Sequence, residues 1–440
     1  MSAVGAAASD AVVARRALRV LAFLLLGKLV AAGKEMAIAW RYGVSEVVDG
    51  YLVAFAIGNW IPSVWMTVLT LVLVPLLARG GGFGVDALRR FEAELAGATL
   101  ALGALAAVGA VLAVWAATSA GWLAADSPVA GHARLAVNGL VPAIALGTCT
   151  VLMSVRLMAG GSQANTLFEA LPAACLLVVV LAWPSTGLGP LLAGSAIGAA
   201  VQLWASVVLV ARGATLDRPR LGLSGPVWAA FRRGIGVVCA GQALMSLVAV
   251  VDPIVAAGLG TGTVAALSYA SRVLALFAAV GTTVVSRALL PVLSGAVAEG
   301  REAAASALAW RWAAAVFAGG AVLAAVGAAL APALVRVLFE RGAFGPRDTE
   351  AVAELLRWGL PQLPFYFAGV ALVQWLSSRQ RFTAIAAVAA LCLVAKLAAN
   401  AVLVPAFGAR GLMAATVAMY AMSATVLAVL AARSRPGART

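Results

Sequence analysis

The chain has 440 residues; 63% are hydrophobic, only 11% are charged, and the mean hydropathy is +1.02. Soluble domains are near half apolar and about a quarter charged, so soluble globular, disordered and fibrous classes are excluded. Roughly 20 apolar residues make one bilayer span, and about twelve spans would absorb the apolar total, which makes a polytopic helical membrane protein the default. The formal charge of +14, from 31 basic and 17 acidic residues, reads as arginine-rich cytoplasmic loops and not as a nucleic-acid surface.

Residues 1–14 are Ala-rich without an early positive charge, and the first apolar run is too long for a signal-peptide core. No cleavable leader is therefore expected. Apolar runs predict spans over residues 17–40, 51–78, 96–118, 136–158, 165–184 and 187–211, then 230–257, 263–293, 307–337, 355–376, 382–405 and 411–432. With Arg15, Arg16 and Arg19 in the cytoplasm, an even number of spans returns Arg433, Arg435 and Arg439 to that side. Basic residues then divide 20 to 7 in favour of the cytoplasm, as the positive-inside rule requires. The outer loop over 338–354 carries Glu340, Asp348, Glu350 and Glu354. Between spans two and three, residues 79–96 read as an amphipathic surface helix.

Residues 212–229 are the most polar internal stretch. They divide the chain into an N-terminal lobe, 1–220, and a C-terminal lobe, 221–440, with six spans each. The halves echo one another: a shift of 217 residues carries Gly43 onto Gly260 and Glu35 onto Asp252. Internal repeats of this kind are common in transporters, with the substrate path between the halves. The expected fold is all-α: two six-helix lobes around a central cavity.

An ionised side chain at a span centre costs about 2.5–3.5 kcal/mol on insertion scales. Lys28, Lys34, Glu35, Glu169, Asp252, Arg272 and Lys396 all fall inside predicted spans, and the chain's only lysines are Lys28, Lys34 and Lys396. Such residues must line a watery cavity or pair with one another. Lys28 and Glu35 share one helix face, about 10 Å apart. Snorkelling to the nearer interface is a credible alternative for Lys34 and a weak one for Lys28, which lies near mid-span, and a cavity role is favoured for both. Asp252 precedes Pro253, which removes a backbone donor and loosens the helix there. Lys396, with Asn400 one turn later on the same face, is its candidate partner; structural pairing and a coupling role are equally open. The Arg272 guanidinium suits a phosphate group better than a lysine's point charge does. A basic cavity of this kind would attract an anionic headgroup such as a pyrophosphate.

Several chemistries are not encoded. No GxxxxGK[ST] sequence occurs, so the chain is not its own ATPase. The single histidine, His132, falls in a predicted loop, and Cys149, Cys175, Cys239 and Cys392 lie singly in apolar segments. They read as small buried hydrophobes. No metal, cofactor or enzymatic centre is expected.

Four stretches resemble the MurJ/MviN lipid II flippases. These are FERGAF at Phe339–Phe344 with the following DTEAVAELLRWGLPQLPFY, SYASRVLALF with LLPVLS, residues 27–60 (GKLVAAGKEMAIAWRYGVSEVVDGYLVAFAIGNW), and LVPAFGARGLMAAT. The resemblance covers about residues 20–430, and FERGAF in its context is its most specific part. It implies the multidrug/oligosaccharidyl-lipid/polysaccharide exporter fold. It also implies alternating-access flipping of an undecaprenyl-pyrophosphate-linked sugar in the bacterial inner membrane, with membrane lipids and that glycan as the partners and a monomer as the working form. Under it, Lys28 and Lys34 stand where the flippases carry first-span arginines, Glu35 and Asp49 match neighbouring acids, and Arg272 matches the span-eight arginine. Pro62 stands where a span-two arginine is expected, and the chain has twelve predicted spans where the flippases usually have fourteen. In sodium-binding members Asp252, Asn400 and Thr416 match site positions, but Lys396 falls where a neutral ligand would be; an ammonium there would take the ion's place. The rival readings are a cation-coupled drug or metabolite antiporter of the same superfamily, which would expect an acidic cavity, and a non-transporting membrane scaffold.

Overall fold

The structure, a computed structural model, describes residue 23 and residues 25–78, 83–121, 127–162, 164–213 and 216–433. Arg15, Arg16, Arg19, Arg79, Arg435 and Arg439 of the charge argument lie outside the described residues. Among the described residues there are helices and connecting turns and no strand. Among the described residues eight helical runs are long and apolar enough, by length and composition, to cross a membrane, two of them, Glu46–Leu77 and Ala164–Ala182, each taking in a short turn. The protein is an all-α polytopic membrane protein.

The chain forms two compact units. The first holds the described residues up to Tyr42 and Glu46–Gln242; the second holds Gly43–Ser45 and the chain from Ala243 onward. In the first unit the helices are α1 (25–42), α2 (Glu46–Gly58), α3 (Trp60–Ala78), α4 (Val85–Ser119), α5 (Pro128–Ala159), α6 (Ala164–Phe168), α7 (Leu171–Ala182) and α8 (Gly189–Gly213). The start of α9 (Pro226–Ala257) completes it. The expected second span is divided into α2 and α3 only by a turn residue, Asn59, through which the helical bonding continues (Asn59 N–H to Phe55 O at 2.8 Å, Ser63 N–H to Asn59 O at 3.1 Å), and the fifth is interrupted at Glu169–Ala170 between α6 and α7. Pro172, at the start of α7, has no N–H to continue a ladder and disfavours helical backbone before it.

The amphipathic segment expected over 79–96 is corrected: from Val85 onward it is the first part of α4, one continuous helix of 35 residues. Its apolar face is not left for lipid alone. Phe91 meets Trp228 and Phe231 edge-on, with ring centroids 5.0 and 5.4 Å away. Leu69, Leu95, Leu152 and Val210 close the same core. The polar linker lies along α4, where the Arg220 N–H donates to Ala93 O at 3.0 Å. Within this core Glu94 is 3% exposed. It accepts from Trp228 Nε1 at 2.7 Å and from Arg90 Nε at 2.9 Å. These bonds hold its carboxyl below the usual range: the Arg90 bond is the main cause, burial opposes it, and Trp228 adds to it. Two residues earlier, Glu92 is pushed up by burial, against the lowering effect of Arg156 at 2.8 Å.

In the second unit α9 continues to Ala257, followed by α10 (Thr263–Ala298), α11 (Glu302–Phe339), α12 (Pro346–Gly359), α13 (Gln362–Ser378), α14 (Phe382–Phe407) and α15 (Ala409–Arg433). The expected tenth span is thus broken at Leu360–Pro361 into α12 and α13. The core runs through Leu289, Leu293, Ala309, Leu372, Trp375 and Leu427. The FERGAF loop is held by its own side chains. Phe339 and Phe344 pack on Tyr269 with centroids 5.1 and 5.6 Å away. Thr349 Oγ1 donates to Glu340 Oε2 at 2.6 Å, and Gly342 takes φ +64°, which favours glycine. Tyr269 Oη donates to Gly43 O at 3.4 Å, so the short segment Gly43–Ser45 is seated in this unit.

Candidate functional site

A buried ion pair lies in the second unit, where α9, α14 and α15 meet. Its position follows from how closely the last two helices approach. Only Gly408, at φ +58°, separates α14 from α15. At Gly411 a Cβ would overlap Leu403 O, so glycine there lets the two backbones touch. Lys396 on α14 extends along this seam and is 0% exposed. Its ammonium donates to Asp252 Oδ2 at 3.1 Å, to Leu412 O at 2.9 Å and to Thr416 Oγ1 at 2.6 Å. The Thr416 hydroxyl in turn donates to Leu412 O at 3.0 Å. A lysine ammonium has three N–H donors, and each here has an oxygen.

Asn400, one turn after Lys396, donates to Asp252 Oδ1 at 3.4 Å, while its own buried Oδ1 has no hydrogen-bond partner. Asp252, Lys396, Asn400 and Thr416 are therefore brought together. The Asp252 side chain keeps 22% exposure and opens on a cavity of about 260 Å³, also lined by Ser271, Gln362, Tyr366, Thr416 and Tyr420. Tyr366 Oη is 2.9 Å from Thr282 Oγ1, and its ring meets Tyr420 edge-on at 5.2 Å. The two tyrosines, Gln362 and the Leu412 carbonyl escaped the sequence reading, because hydroxyls and amides in an apolar run carry no insertion cost comparable to that of a charge.

In the first unit the predicted residues fall into three separate surroundings. Lys34 and the buried Glu35 form an ion pair between neighbours on α1. Lys28 is exposed and lies within electrostatic reach of Glu169, in the break between α6 and α7. Glu169 Oε1 accepts from Asn165 Nδ2 at 3.0 Å. Helix α1 approaches this break through Gly27, where a Cβ would stand 3.6 Å from Ala170 Cβ. Glu169 thus lies in the interruption between α6 and α7. Asp49 is fully buried in the first turn of α2, beside a glycine whose Cβ would overlap His132 on α5.

Arg272 is on α10 in the second unit and is half-buried. Its neighbour Ser271 lines the cavity beside Asp252. Among the described residues no group of three or more His, Cys, Asp or Glu side chains is placed to hold a metal. His132 lies near the start of α5, with Nδ1 2.8 Å from Pro128 O, and all four cysteines are free.

A family model described as "Lipid II flippase MurJ" matches residues 38–439. No curated protein matches the sequence. Among solved structures, the chain is similar to the lipid II flippase MurJ in an inward closed conformation, with TM-score 0.77, 15% identity, and 95% of this chain and 88% of that chain covered. It is also similar to an inward-facing multidrug resistance MATE family transporter of the MOP superfamily, with TM-score 0.73, 15% identity, and 92% and 94% covered. A MOP superfamily transporter from Pyrococcus furiosus is similar at TM-score 0.58 and 15% identity, with 94% of each chain covered. These structural likenesses show the fold; the family model covers nearly the whole chain. The chain belongs to the lipid II flippase MurJ family.

Proposed function

We propose that this protein, a membrane transporter and not an enzyme, flips an undecaprenyl-pyrophosphate-linked sugar, lipid II or a related glycan precursor, across the bacterial inner membrane by alternating access. The family match over residues 38–439 carries this reading. The chain's chemistry supports it. Lys28, Lys34 and Arg272 are cations retained in apolar helices at an insertion cost of about 2.5–3.5 kcal/mol each, and we assign them to the pyrophosphate. Glu35 and Asp49 set the charge around α1 and the start of α2. The ion pair of Asp252 and Lys396, with Asn400 and Thr416, biases the balance between conformational states. Both termini are assigned to the cytoplasm by the 20-to-7 division of basic residues, and the protein acts as a monomer.

The test is translocation of a polyprenyl-pyrophosphate glycan in proteoliposomes containing the wild type or Arg272→Ala. Loss of flipping with intact folding is the expected result; unchanged flipping removes the assigned role of Arg272. Rescue of cells depleted of their own lipid II flippase would assign peptidoglycan as the product pathway. Cation-dependent efflux of a dye without glycan flipping would instead establish the antiporter reading.

A further inference from the structure

We propose that the Lys396 ammonium is a tethered cation: it fills an oxygen site that would otherwise take an alkali metal ion, and the second unit binds no such ion while the amine is present. The proposal goes beyond the flippase reading and stands on the geometry of the second unit alone.

The site has the donor set of a hard cation. A carboxylate oxygen of Asp252, the main-chain oxygen of Leu412 and the hydroxyl oxygen of Thr416 converge on one point, and hard monovalent and divalent metal ions take such oxygens. The buried Oδ1 of Asn400, on the side chain that bonds Asp252, is a further oxygen with no hydrogen-bond partner. What occupies the convergence point is Lys396 Nζ, 2.6–3.1 Å from its three acceptors.

A sodium ion does not fit these residues as they stand. Its oxygens are already engaged by the ammonium's three donors, and a second positive charge would sit beside the first with a single carboxylate between them. In a fully buried position such like-charge contact is strongly unfavourable. The charge of Asp252 is thus balanced by a covalently attached group. A soluble ion can leave during a transport cycle; this one can only move as far as four methylenes allow. The unit keeps its counter-charge at every external sodium concentration.

Removing the amine separates the oxygen cage from its occupant. Lys396→Ala leaves the carboxylate, carbonyl and hydroxyl in place and opens a space where the side chain lay, so an alkali ion becomes the natural counter-charge. The test is thermal unfolding of the purified full-length protein in detergent, in NaCl, KCl or choline chloride at constant ionic strength. The wild type is expected to show the same Tm in all three. Lys396→Ala should have a lower Tm in choline chloride that rises saturably with sodium. Lys396→Ala combined with Asp252→Asn, which lacks the carboxylate, should show no such rise. A saturable sodium-dependent rise in the wild type overturns the proposal, as does a folded Lys396→Ala protein without a cation-specific rise. If Lys396→Ala cannot be recovered folded in any of the salts, the wild-type titration decides. Since the readout is unfolding, its failure leaves the flippase reading to be judged by the translocation assay.

Discussion

Lys396 and Asp252 form an asymmetric pair: the ammonium is fully buried, while the carboxylate 3.1 Å away keeps 22% exposure toward a polar cavity. Burying one charge so completely is tolerable only while its partner remains, because the desolvation cost of an unpaired ion exceeds what the pair itself contributes. Asp252→Ala should therefore destabilise the protein by about 3–5 kcal/mol. The neutral double variant Asp252→Asn with Lys396→Met should recover most of that loss. Denaturant unfolding of the wild type, Asp252→Asn, Lys396→Met and the double variant measures the coupling as a thermodynamic cycle. Additive losses would mean that the two groups do not interact.

The seam that buries Lys396 depends on Gly411. A Cβ there would overlap a main-chain oxygen, Leu403 O, which has no rotamer by which to move aside. Gly411→Ala should force α14 and α15 apart and cost about 1–3 kcal/mol, the range for overpacking a tight interface. The control is Gly131→Ala on α5, where a Cβ meets nothing within 4 Å. That change should be neutral or slightly stabilising, since alanine favours helix over glycine. Equal losses in unfolding measurements on the two variants would dismiss the close approach as the cause.

Glu94 makes acid sensitivity local to the first unit. Its carboxyl is held below the ordinary 4.5, chiefly by the Arg90 bond. A carboxylate whose folded value is depressed adds stability above the unfolded value and loses it as the pH falls through the folded one. The loss should therefore begin near pH 4.5 and deepen below it. Glu94→Gln should flatten this part of the stability profile. At neutral pH it should cost about 1–3 kcal/mol, as charge-assisted bonds from Arg90 and Trp228 weaken in a buried place. Unfolding midpoints of both proteins from pH 7 down to about pH 3 give the comparison; parallel profiles would exclude Glu94 as the source.

The helices were legible because a membrane span is a strong one-dimensional signal: length and apolarity suffice. Their breaks were less so. Asn59 and the Glu169–Ala170 turn lie within the expected spans 51–78 and 165–184, and one or two polar residues inside an apolar run do not by themselves tell an interrupted helix from a continuous one. The α4 extension was misread for a related reason. Residues 85–95 are amphipathic, a pattern shared by a helix on a lipid surface and one packed on Trp228 and Phe231. The Asp252–Lys396 contact could be anticipated because two opposite charges in apolar segments have few ways of being tolerated. The third acceptor of Lys396 could not, since a main-chain oxygen such as Leu412 O is the same at every residue. FERGAF was distinctive because each of its parts has a separate duty: two rings against Tyr269, an acid for Thr349 and a glycine at positive φ.

Lys34 offers a way to separate substrate grip from structural support. Its ammonium is paired with the buried carboxylate of Glu35, the next residue on α1. If Lys34 contacts a pyrophosphate, Glu35 competes with that anion for the same charge. Glu35→Gln would then remove that competing carboxylate and tighten the apparent affinity for the lipid-linked pyrophosphate roughly two- to five-fold, the equivalent of a modest, partly exposed ion pair. Lys34→Gln should weaken it by a similar factor, and the double variant should resemble Lys34→Gln because the acid then has nothing to compete for. Initial flipping rates across substrate concentrations in proteoliposomes give KM and kcat separately. A shift confined to KM, reduced at high salt, is the expected signature of a direct electrostatic contact. A fall in kcat alone for both single variants would make the pair a support for α1 and leave the pyrophosphate to Lys28 and Arg272.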